Sequence, residues 1–575
     1  MSALTEPEVL SADILILGGG GAGTLAALHA ADHPGLKVAV AVKGLLGKSG
    51  CTRMVQGGYN AVLHPDDSLE RHFLDTLRGG AFINDQELVW ILVSGAPRMV
   101  AELENRYGCF FDRNPDGTIH QKPFGGQTFD RTVHRGDLTG IEIMERLRQA
   151  LLARDSVLAL EEHRAVGLLW DRGRSRICGA LLLDIRRGRF LVVRARATLL
   201  ATGGGPTMYR LATPSREKSL DGIVLAYEAG ARLMDMEMVQ FHPTALVVPG
   251  SELNGAVLEE GLRGAGAYLL NNQGERFMAR YDPERLERST RDVVSRACYL
   301  EVMAGRGTPN GGVWLDISHL GRDTVEALFP GMVERSRAAG ADLAAGPVEV
   351  SPAAHFIMGG VEMDTRCRTG LPGLYVAGED AAGVQGANRL GGNGVAESTV
   401  FGALAGDVMA EEVVGVPALD PDPAEVSRHI EVATAPLRRE VGEDVYGLLD
   451  RLRELMWQKV GVVRDGAGLR AALAELADLK ARADRVKVDG SPAFNLEWQQ
   501  AINLRNLVEA SELVAVAALF RTESRGAHYR ADFPEQDDEN WLCNVALVRT
   551  EDGPRLEKRP VRLTRFNPLA PGRRP

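Results

Sequence analysis

Two histidines and three arginines in the middle of the chain have the chemistry needed to bind a small dicarboxylate. They are His242 in DMEMVQFHPTAL, Arg263 in EEGLRGAG, Arg291 in STRDVVSRA, His355 in SPAAHFIMGG and Arg389 in GANRLGGNG. A guanidinium binds a carboxylate in a bidentate way, and a histidine adds a directed donor. A lone histidine is more often a core residue than a ligand. The hypothesis of a dicarboxylate site therefore rests on these five residues together and not on any one of them.

The first 43 residues predict an element that holds a nucleotide. ADILIL, GGGGAG, TLAALHAAD and LKVAVAV are typical of strand, Gly-rich turn, helix and strand. Gly18, Gly20 and Gly23 have GxGxxG spacing, which lets the backbone turn tightly and approach a pyrophosphate at a helix N-terminus. The second strand ends in Val42 and Lys43 rather than in an acid, so this position does not discriminate between NAD and FAD.

Two later strand patterns predict that the nucleotide domain is interrupted. RARATLLATGGG (194–205) and TGLPGLYVAGED (369–380) each end in glycines, and a fold revisited after such a gap needs an inserted domain. The predicted class is α/β: a Rossmann-like domain interrupted by a mixed α+β capping domain and followed by a helical domain and tail. The predicted segments are 1–236 and 354–416 for the nucleotide domain, 237–353 for the cap, 417–423 (PALDPDP) for a linker, 424–530 for the helical domain and 531–575 for the tail region.

Composition excludes several classes of protein. The 575 residues carry a net charge of −11, and no Lys/Arg-rich block interrupts this acidic balance, so no nucleic-acid partner is expected. The six cysteines include no CxxC pair, so no metal site is predicted and an iron-sulfur cluster would have to lie on another polypeptide. The N-terminus lacks a basic signal segment, and DILIL is too short to span a bilayer, so we expect a cytoplasmic protein without direct membrane insertion.

Seven motifs, in order along the chain, resemble one family. They are DMEMVQFHPTAL, EGLRGAGAYLLN, RDVVSRA, AAHFIMGG, GLYVAGE, GANRLGGN and FRTESRGAHYRADFPEQDDENWL. Together they are similar to the flavoprotein subunit of succinate dehydrogenase and fumarate reductase, and more distantly to L-aspartate oxidase. The resemblance extends over nearly the whole chain, including the helical region and tail.

The resemblance implies an FAD-dependent oxidoreductase that interconverts succinate and fumarate, or a closely related dicarboxylate, by hydride transfer at flavin N5. The flavin would lie between the nucleotide domain and the cap, and electrons would pass to or from an iron-sulfur partner. The implied cofactor-binding residues are Gly18, Gly20, Gly21, Gly23, Lys43, Ser49, Thr52, Gln56, Gly57, Gly58, Ala201, Thr202, Gly203, Asp221, Glu379 and Asn393.

The resemblance also implies roles around the substrate. Arg291 would donate or accept the proton, supplied through Glu260 and Arg263. An arginine is normally too basic to lose its proton, but a weak acid is adequate against a carbanion-like centre, and a neighbouring carboxylate restores the proton. A purely electrostatic clamp is the alternative role for Arg291. The implied substrate-binding residues are His242, His355, Arg389, Phe124 and Glu259.

Cys51, in KSGCTRMVQGG, departs from the family pattern. Respiratory members have a histidine at the matching position, and it carries a covalent bond to the flavin. Lys48 is the only nearby charge in sequence that could activate the thiol. We expect a noncovalent flavin with Cys51 as small packing, and hence a lower flavin potential that favours the reductase direction.

Glu259 and Gln385 also depart from the pattern, because the family has a small hydroxyl residue and a histidine there. A carboxylate that faces a substrate carboxylate costs several kcal/mol unless one of them is protonated or displaced. Either Glu259 turns away, or the ligand has an amine, hydroxyl or amide at that end. L-aspartate oxidase, with oxygen or fumarate as acceptor, fits the second case and stays as the alternative, although Phe124 is the dehydrogenase-like choice.

Two expectations concern the setting of the protein. A partner complex could place the chain peripherally on the inner face of the cell membrane. The chain could also be an electron-transfer subunit with little activity when isolated, in which case turnover would depend on the iron-sulfur partner.

Overall fold

The computed structural model describes residues 6–570, and its centre is a five-stranded parallel sheet that we call the nucleotide sheet. Four of its strands are buried at every residue, as expected where helices cover a parallel sheet. The predicted α/β fold class is confirmed. In spatial order the strands are Leu374–Val376, Ala197–Leu200, Ile14–Leu17, Val38–Val42 and Val157–Glu161.

Two helices from distant parts of the chain pack closely beside this sheet. They are Gly21–Ala31, which follows the Gly-rich turn, and Asn393–Glu412. A Cβ on Gly402 would lie 2.4 Å from the Ala22 carbonyl oxygen, and one on Gly406 would lie 2.4 Å from that of Ala26. Glycine is therefore required at both positions for the two backbones to approach, and this contact joins the late segment to the first.

The cap, which we predict at 237–353, is built on an antiparallel sheet of its own. A separate hydrophobic core, which includes Leu262, Val294 and Leu315, fills the space between this sheet and its helices. The strands in spatial order are Val239–Leu246, Val348–Ile357, Val313–Asp316 and Tyr268–Leu270. The helices are Gly261–Gly264, Met278–Tyr281, Arg291–Glu301, Arg322–Leu328 and Pro330–Ala338.

Four helices follow the predicted linker. Asp422, Asp444 and Asp465 each accept hydrogen bonds from amides of the first turn, which fixes where three of them begin. Within residues 6–570, no helix combines the length and the apolar character needed to cross a bilayer. The four helices are Pro423–Arg438, Val445–Lys459, Gly466–Ala483 and Leu496–Phe520.

The predicted tail region contains an ordered hairpin. Strands Cys543–Thr550 and Gly553–Pro560 join Leu233–Met234 and Gly360–Val361 in one four-stranded sheet. Leu233 lies opposite Leu547, so the end of the chain is fixed against the segment that leads into the cap. The outermost residues of the predicted first and last segments, 1–5 and 571–575, lie outside the described residues.

The remaining elements connect these units. A second four-stranded sheet packs beside the nucleotide sheet. A small three-stranded sheet lies next to the cap. The two sheets consist of Glu8–Ser11, Arg189–Arg194, Ile177–Asp184 and His163–Trp170, and of Tyr59–Asn60, Thr132–Val133 and Gln121–Lys122. The other helices are Thr52–Met54, Leu69–Gly79, Gln86–Asn105, Thr139–Leu152, Asp221–Ala229, Leu286–Arg288, Val302–Arg306, Ser318–Leu320, Gly378–Asp380 and Asp538–Trp541.

Candidate active site

A cavity of about 640 Å³ runs from the Gly-rich turn to the cap. This volume is within the usual range for small-molecule and cofactor sites. All the residues that we predicted to contact the cofactor line this cavity, except Gly23 and Asn393. The substrate residues His242, His355, Arg389, Phe124 and Glu259, together with Arg291 and Glu260, line the same cavity. A cofactor end and a substrate end are therefore continuous.

The Gly-rich turn has the geometry of a pyrophosphate cradle. Gly18 has φ +117°, and a Cβ there would lie 2.0 Å from the Ala201 carbonyl oxygen. Gly23 lies behind the turn rather than on the cavity, and a Cβ on it would lie 1.9 Å from the Gly18 carbonyl oxygen. The Gly21 amide donates to Thr52 Oγ1 at 3.1 Å, and Gly20 has no side chain that could cap the amides that follow, so these can face an anion. This turn fits the diphosphate of FAD.

Gly18→Ala is expected to abolish flavin binding, because the new methyl group collides with backbone that cannot move away and the turn would need a left-handed alanine. The measurement is the ratio of flavin absorbance to protein absorbance after purification. Gly35→Ala is the matched control, since Gly35 also has positive φ but a Cβ there meets nothing within 4 Å. A stoichiometric flavin content in Gly18→Ala would contradict this assignment of the turn.

The carboxylate that lies at the end of strand Val38–Val42 belongs to Asp221, which is distant in sequence. Lys43 Nζ donates to Asp221 Oδ2 at 3.0 Å, and Arg164 Nη2 donates to Asp221 Oδ1 at 2.6 Å. Burial alone would raise the pKa of Asp221, but Arg164 and Lys43 hold it well below its usual value. Burial, together with Arg164, lowers the pKa of Lys43 to about 7. Asp221 thus offers an ionised acceptor at a strand end that lacks an acid in sequence.

Two neighbouring acids hold the loops around the middle of the cavity. Glu379 Oε1 accepts from the amides of Gly205 and Ile357, at 3.1 Å each, and burial raises the pKa of Glu379 to about 7. Asp380 accepts from the Thr202 amide and hydroxyl, and burial raises its pKa to about 6. Glu379 faces the cavity, whereas Asp380 is fully buried and fixes the glycine loop from behind.

Cys51 lies on the cavity at the start of the short helix Thr52–Met54. Burial raises the pKa of its thiol to about 11, although Lys218 acts in the opposite direction. At neutral pH the group is therefore the protonated thiol, which is a poor nucleophile. Sequence proximity indicated Lys48 as its neighbour, whereas the charge that the fold brings to it is Lys218.

The predicted proton-transfer residues lie in direct contact. Arg291 Nε donates to Glu260 Oε2 at 2.8 Å, and Nη2 lies 2.7 Å from the same oxygen. Arg263 Nη2 lies 3.5 Å from Glu260 Oε1, which also accepts from the Gly125 amide at 3.0 Å. Arg263 is behind Glu260 and does not line the cavity. The order from the cavity inward is therefore Arg291, Glu260, Arg263.

Gln240, which we did not predict from the sequence, links Arg291 and Arg389. Its Oε1 accepts from Arg291 Nη1 at 3.1 Å and from Arg389 Nη2 at 3.3 Å, and its amide nitrogen donates to the Arg389 carbonyl at 2.7 Å. Gln240 is two residues before His242 on one strand, so side-chain alternation was the signal that could have placed it on the same face.

Arg389 has a cationic group without a counter-ion. Among residues 6–570 no carboxylate oxygen lies within 4.0 Å of its guanidinium nitrogens, and its buried Nε has no hydrogen-bond partner. Burial, with Arg291 nearby, lowers its pKa to about 9, so it stays protonated at neutral pH. A buried, unpaired guanidinium that faces a cavity is suited to an anionic ligand.

His242 and His355 lie beside these arginines, with ring centroids 5.2 Å apart. His355 Nδ1 is 2.6 Å from the Thr213 hydroxyl, and His242 Nδ1 accepts from the Thr244 amide at 3.3 Å. Burial lowers the pKa of both histidines well below the usual value, and Arg291 lowers it further. Both rings are therefore neutral, and each can still donate one hydrogen bond to a carboxylate.

The other end of the substrate pocket contains an ion pair. Lys122 Nζ lies 3.3 Å from both carboxylate oxygens of Glu259. Burial raises the pKa of Glu259, and Lys122 opposes that shift. Phe124 is buried against Gly57 and Gly391, so close that a Cβ on either glycine would meet the ring. Lys122, not predicted from the sequence, thus supplies a counter-ion for the unexpected acid.

Gln385 and Asn393 lie one layer behind the cavity. Gln385 Nε2 donates to Glu397 Oε2 at 2.7 Å, and burial raises the pKa of Glu397 to about 8. Asn393 accepts from Asn60 Nδ2 at 2.8 Å and donates to Thr76 Oγ1 at 3.1 Å. These contacts of Asn393 support the floor of the site, and its contact with the cofactor stays a prediction.

Comparisons with known proteins agree with this geometry. Residues 13–395 match the family model described as FAD binding domain, and residues 449–574 match fumarate reductase flavoprotein C-term. The chain is 45% identical over 538 residues to an uncharacterized FAD-dependent oxidoreductase of Methanocaldococcus jannaschii, with 94% of this chain and 96% of the relative covered. It is 42% identical over 554 residues to one of the subunits of fumarate reductase (CoM/CoB) from Methanothermobacter marburgensis, with 95% and 98% covered. The flavoprotein of Escherichia coli quinol fumarate reductase superimposes with a TM-score of 0.92 at 34% identity, with 98% and 99% covered.

Proposed function

Because the chain belongs to the family of fumarate reductase and succinate dehydrogenase flavoprotein subunits, and is an FAD-dependent oxidoreductase of that type, we propose that it reduces fumarate or a closely related dicarboxylate. The unpaired guanidinium of Arg389 is the observation that carries the proposal, since it faces the cavity beside two neutral histidines. The relative from Methanothermobacter marburgensis is named as a fumarate reductase subunit, and this name supports the reductase direction.

The flavin would be held by the Gly-rich turn at its diphosphate, and by Asp221 and Glu379 along the rest of the cavity. When bound and reduced by the electron donor, the flavin would supply the hydride that adds to one carbon of the substrate double bond. We infer that the flavin is noncovalent, because the Cys51 thiol is protonated and the family's linking histidine is absent. The reductase direction also follows if the ring lacks the electron-withdrawing effect of a covalent substituent.

The chain itself orients the substrate and moves the proton. Arg389 and His355 bind one carboxylate, and His242 donates to the other. Arg291 gives a proton to the second carbon, and Glu260, which is ionised at rest, takes up a replacement proton from the side of Arg263 and passes it to Arg291 through its contacts with Nε and Nη2. Arg263, behind Glu260, balances the charge of this carboxylate and keeps it ionised: burial would raise the pKa of Glu260, but Arg291 and Arg263 lower it.

An amine substrate, as in L-aspartate oxidase, is the less favoured alternative. Glu259 is the residue that would bind the amine, but Lys122 already contacts both of its oxygens. The buried Phe124 ring offers no acceptor at the position where the resemblance expects a glutamate in aspartate oxidases. These contacts favour a dicarboxylate that has no amino group.

Electrons would come from an iron-sulfur partner. Among residues 6–570 no group of three or more His, Cys, Asp or Glu side chains is arranged to hold a metal ion, so this part of the chain offers no cluster site of its own. The proposal therefore includes a second polypeptide, through which the chain could be held at a membrane surface.

The test is turnover of the purified chain with fumarate, succinate and L-aspartate. With a reduced artificial donor we expect fumarate reduction, and after acid precipitation we expect the yellow colour in the supernatant. Colour that stays with the pellet would contradict the noncovalent flavin, and peroxide formation that depends on aspartate would overturn the choice of substrate. The assay is then repeated with the product of any neighbouring iron-sulfur gene, whose addition should permit reduction by a physiological donor.

A further inference from the structure

Arg335 is a cavity arginine that the proposed mechanism does not use. Arg335 lies on the cap helix Pro330–Ala338, is half-buried and lines the cavity. Its Nη1 donates to the Val257 carbonyl at 2.8 Å. Within residues 6–570 no carboxylate oxygen is within 4.0 Å of its nitrogens. The guanidinium is thus anchored at one nitrogen while the rest of the fork lacks an ionic partner.

Arg335 is separate from the Arg291 and Arg389 cluster. Arg291 and Arg389 act on the pKa of His242 and His355, whereas the charged groups that act on Arg335 are Asp137 and Glu259. Lys122 pairs with Glu259 at contact distance, which leaves Asp137 as the uncompensated acid on that side. The four charged groups around this point, Arg335, Lys122, Asp137 and Glu259, sum to zero, so an incoming carboxylate is not repelled.

This part of the cavity is next to solvent. Met54 and Ile141 both line the cavity and are 50% and 38% exposed. Gln56, two residues after Met54, faces Arg335 across the gap between the nucleotide domain and the cap. With its amide turned so that the oxygen faces the guanidinium, Gln56 accepts from Arg335 Nη1 and, at 3.1 Å, from Nη2, and a ligand carboxylate would take the place of this amide oxygen. Arg335 and Gln56 therefore flank the cavity near its mouth, one from each domain.

We propose that Arg335, assisted by Gln56, forms a second carboxylate-binding subsite near the mouth of the cavity, outside the clamp that holds the reacting dicarboxylate. The subsite rests on the proposed function, because it extends that site outward. Its ligand is a carboxylate from one of two sources: the dicarboxylate during its passage inward, or the third carboxylate of a tricarboxylic ligand. Because the four charged groups around it sum to zero, the mouth repels acidic ligands less than the average surface of a protein of net charge −11 does.

The test measures binding of succinate and tricarballylate to the oxidised, flavin-loaded protein by calorimetry and stopped-flow absorbance. Tricarballylate is succinate with one added carboxymethyl group, so the pair isolates the third carboxylate. Arg335→Gln should weaken tricarballylate binding about 10- to 100-fold more than succinate binding if the third carboxylate is the ligand. If the dicarboxylate in passage is the ligand, the same change should slow succinate association and remove its dependence on salt.

Arg337→Gln is the matched control, because Arg337 is on the same helix but is exposed and pairs with Glu326 and Asp342. Arg335→Lys keeps the charge and should restore part of the lost binding or association rate. The proposal is overturned if folded Arg335→Gln, or folded Arg335→Lys where the glutamine variant does not fold, matches Arg337→Gln for both ligands in affinity, association rate and salt dependence. Since no turnover is needed, failure of fumarate reduction would not be confused with failure of this subsite.

Discussion

Replacing Arg291 with glutamine is expected to lower kcat for fumarate reduction about 10³- to 10⁴-fold, with flavin content unchanged. Arg291 is the cavity residue whose guanidinium has two nitrogens on Glu260 and a third on Gln240. Glutamine cannot give up a proton to a carbanion-like carbon, and it removes the positive charge that stabilises that carbon. The loss should therefore appear in the chemical step rather than in binding.

The measurement is kcat and KM for fumarate with a reduced artificial donor, together with the Kd for succinate. Arg296→Gln is the control on the same helix, because the Arg296 guanidinium lies over Tyr529 rather than in the cavity. Arg291→Lys keeps the charge but loses the paired contacts with Glu260, so its rate should lie between those of the parent and Arg291→Gln. A kcat within about tenfold of the parent in Arg291→Gln would reduce Arg291 to an electrostatic clamp.

Replacing Arg521 with methionine is expected to lower the free energy of unfolding by about 3–5 kcal/mol. Arg521 is fully buried, donates to Glu237 at 2.6 Å and to Glu523 at 2.9 Å, and lies 3.6 Å from Asp235. Its removal leaves buried carboxylates without their cation, and a buried unpaired charge is far more costly than a lost surface pair. The variant should be the least stable of the single changes considered for this chain.

The difference in the free energy of unfolding between Arg521→Met and the parent should depend on pH. Burial and the neighbouring Glu237 already raise the pKa of Asp235, against the effect of Arg521, and loss of Arg521 raises it further. An acid whose pKa is higher in the folded state than in the unfolded state stabilises the fold at low pH, and this stability is lost as the pH rises. The variant should therefore be closest to the parent near pH 5 and furthest from it near pH 8.

Denaturant unfolding followed by circular dichroism at both pH values provides the test. Arg322→Met is the control, because Arg322 pairs with Glu326 and Asp342 on the surface of the cap, where solvent screens the charges, and its loss should leave the unfolding midpoint almost unchanged. Equal unfolding midpoints for the two variants would show that the buried acids around position 521 find other partners.

The sequence predicts the local parts of the site well, and the contacts between distant segments poorly. The Gly-rich turn and the later strands are local patterns, so the nucleotide sheet and the α/β class could be predicted from them. Lys43 is the last residue of a local pattern, but its partner Asp221 arrives from another helix. Lys122 and Glu259 meet only because the strand Gln121–Lys122 of the small sheet packs against the cap. Pairings of this kind have no periodicity to reveal them.

Departures from the family pattern indicated where such contacts would be needed. Glu259 and Gln385 are anomalous in sequence, and in the structure each has a partner that accounts for it: Lys122 for Glu259 and Glu397 for Gln385. The identity of those partners required the fold. That Cys51 lacks activation stays a prediction, and the charge that acts on it is Lys218 rather than Lys48.

The hairpin at the end of the chain has a consequence for biosynthesis. Its strand Cys543–Thr550 pairs with Leu233–Met234, and Asn544 donates to Asp235, just before the cap begins. Translation at about 5–20 residues per second delivers that strand roughly 15–60 s after residue 234 has been made. Until strand Cys543–Thr550 has been made, the segment Leu233–Met234 before the cap lacks this partner strand. The four-stranded sheet that these strands share must therefore form after strand Cys543–Thr550 has left the ribosome.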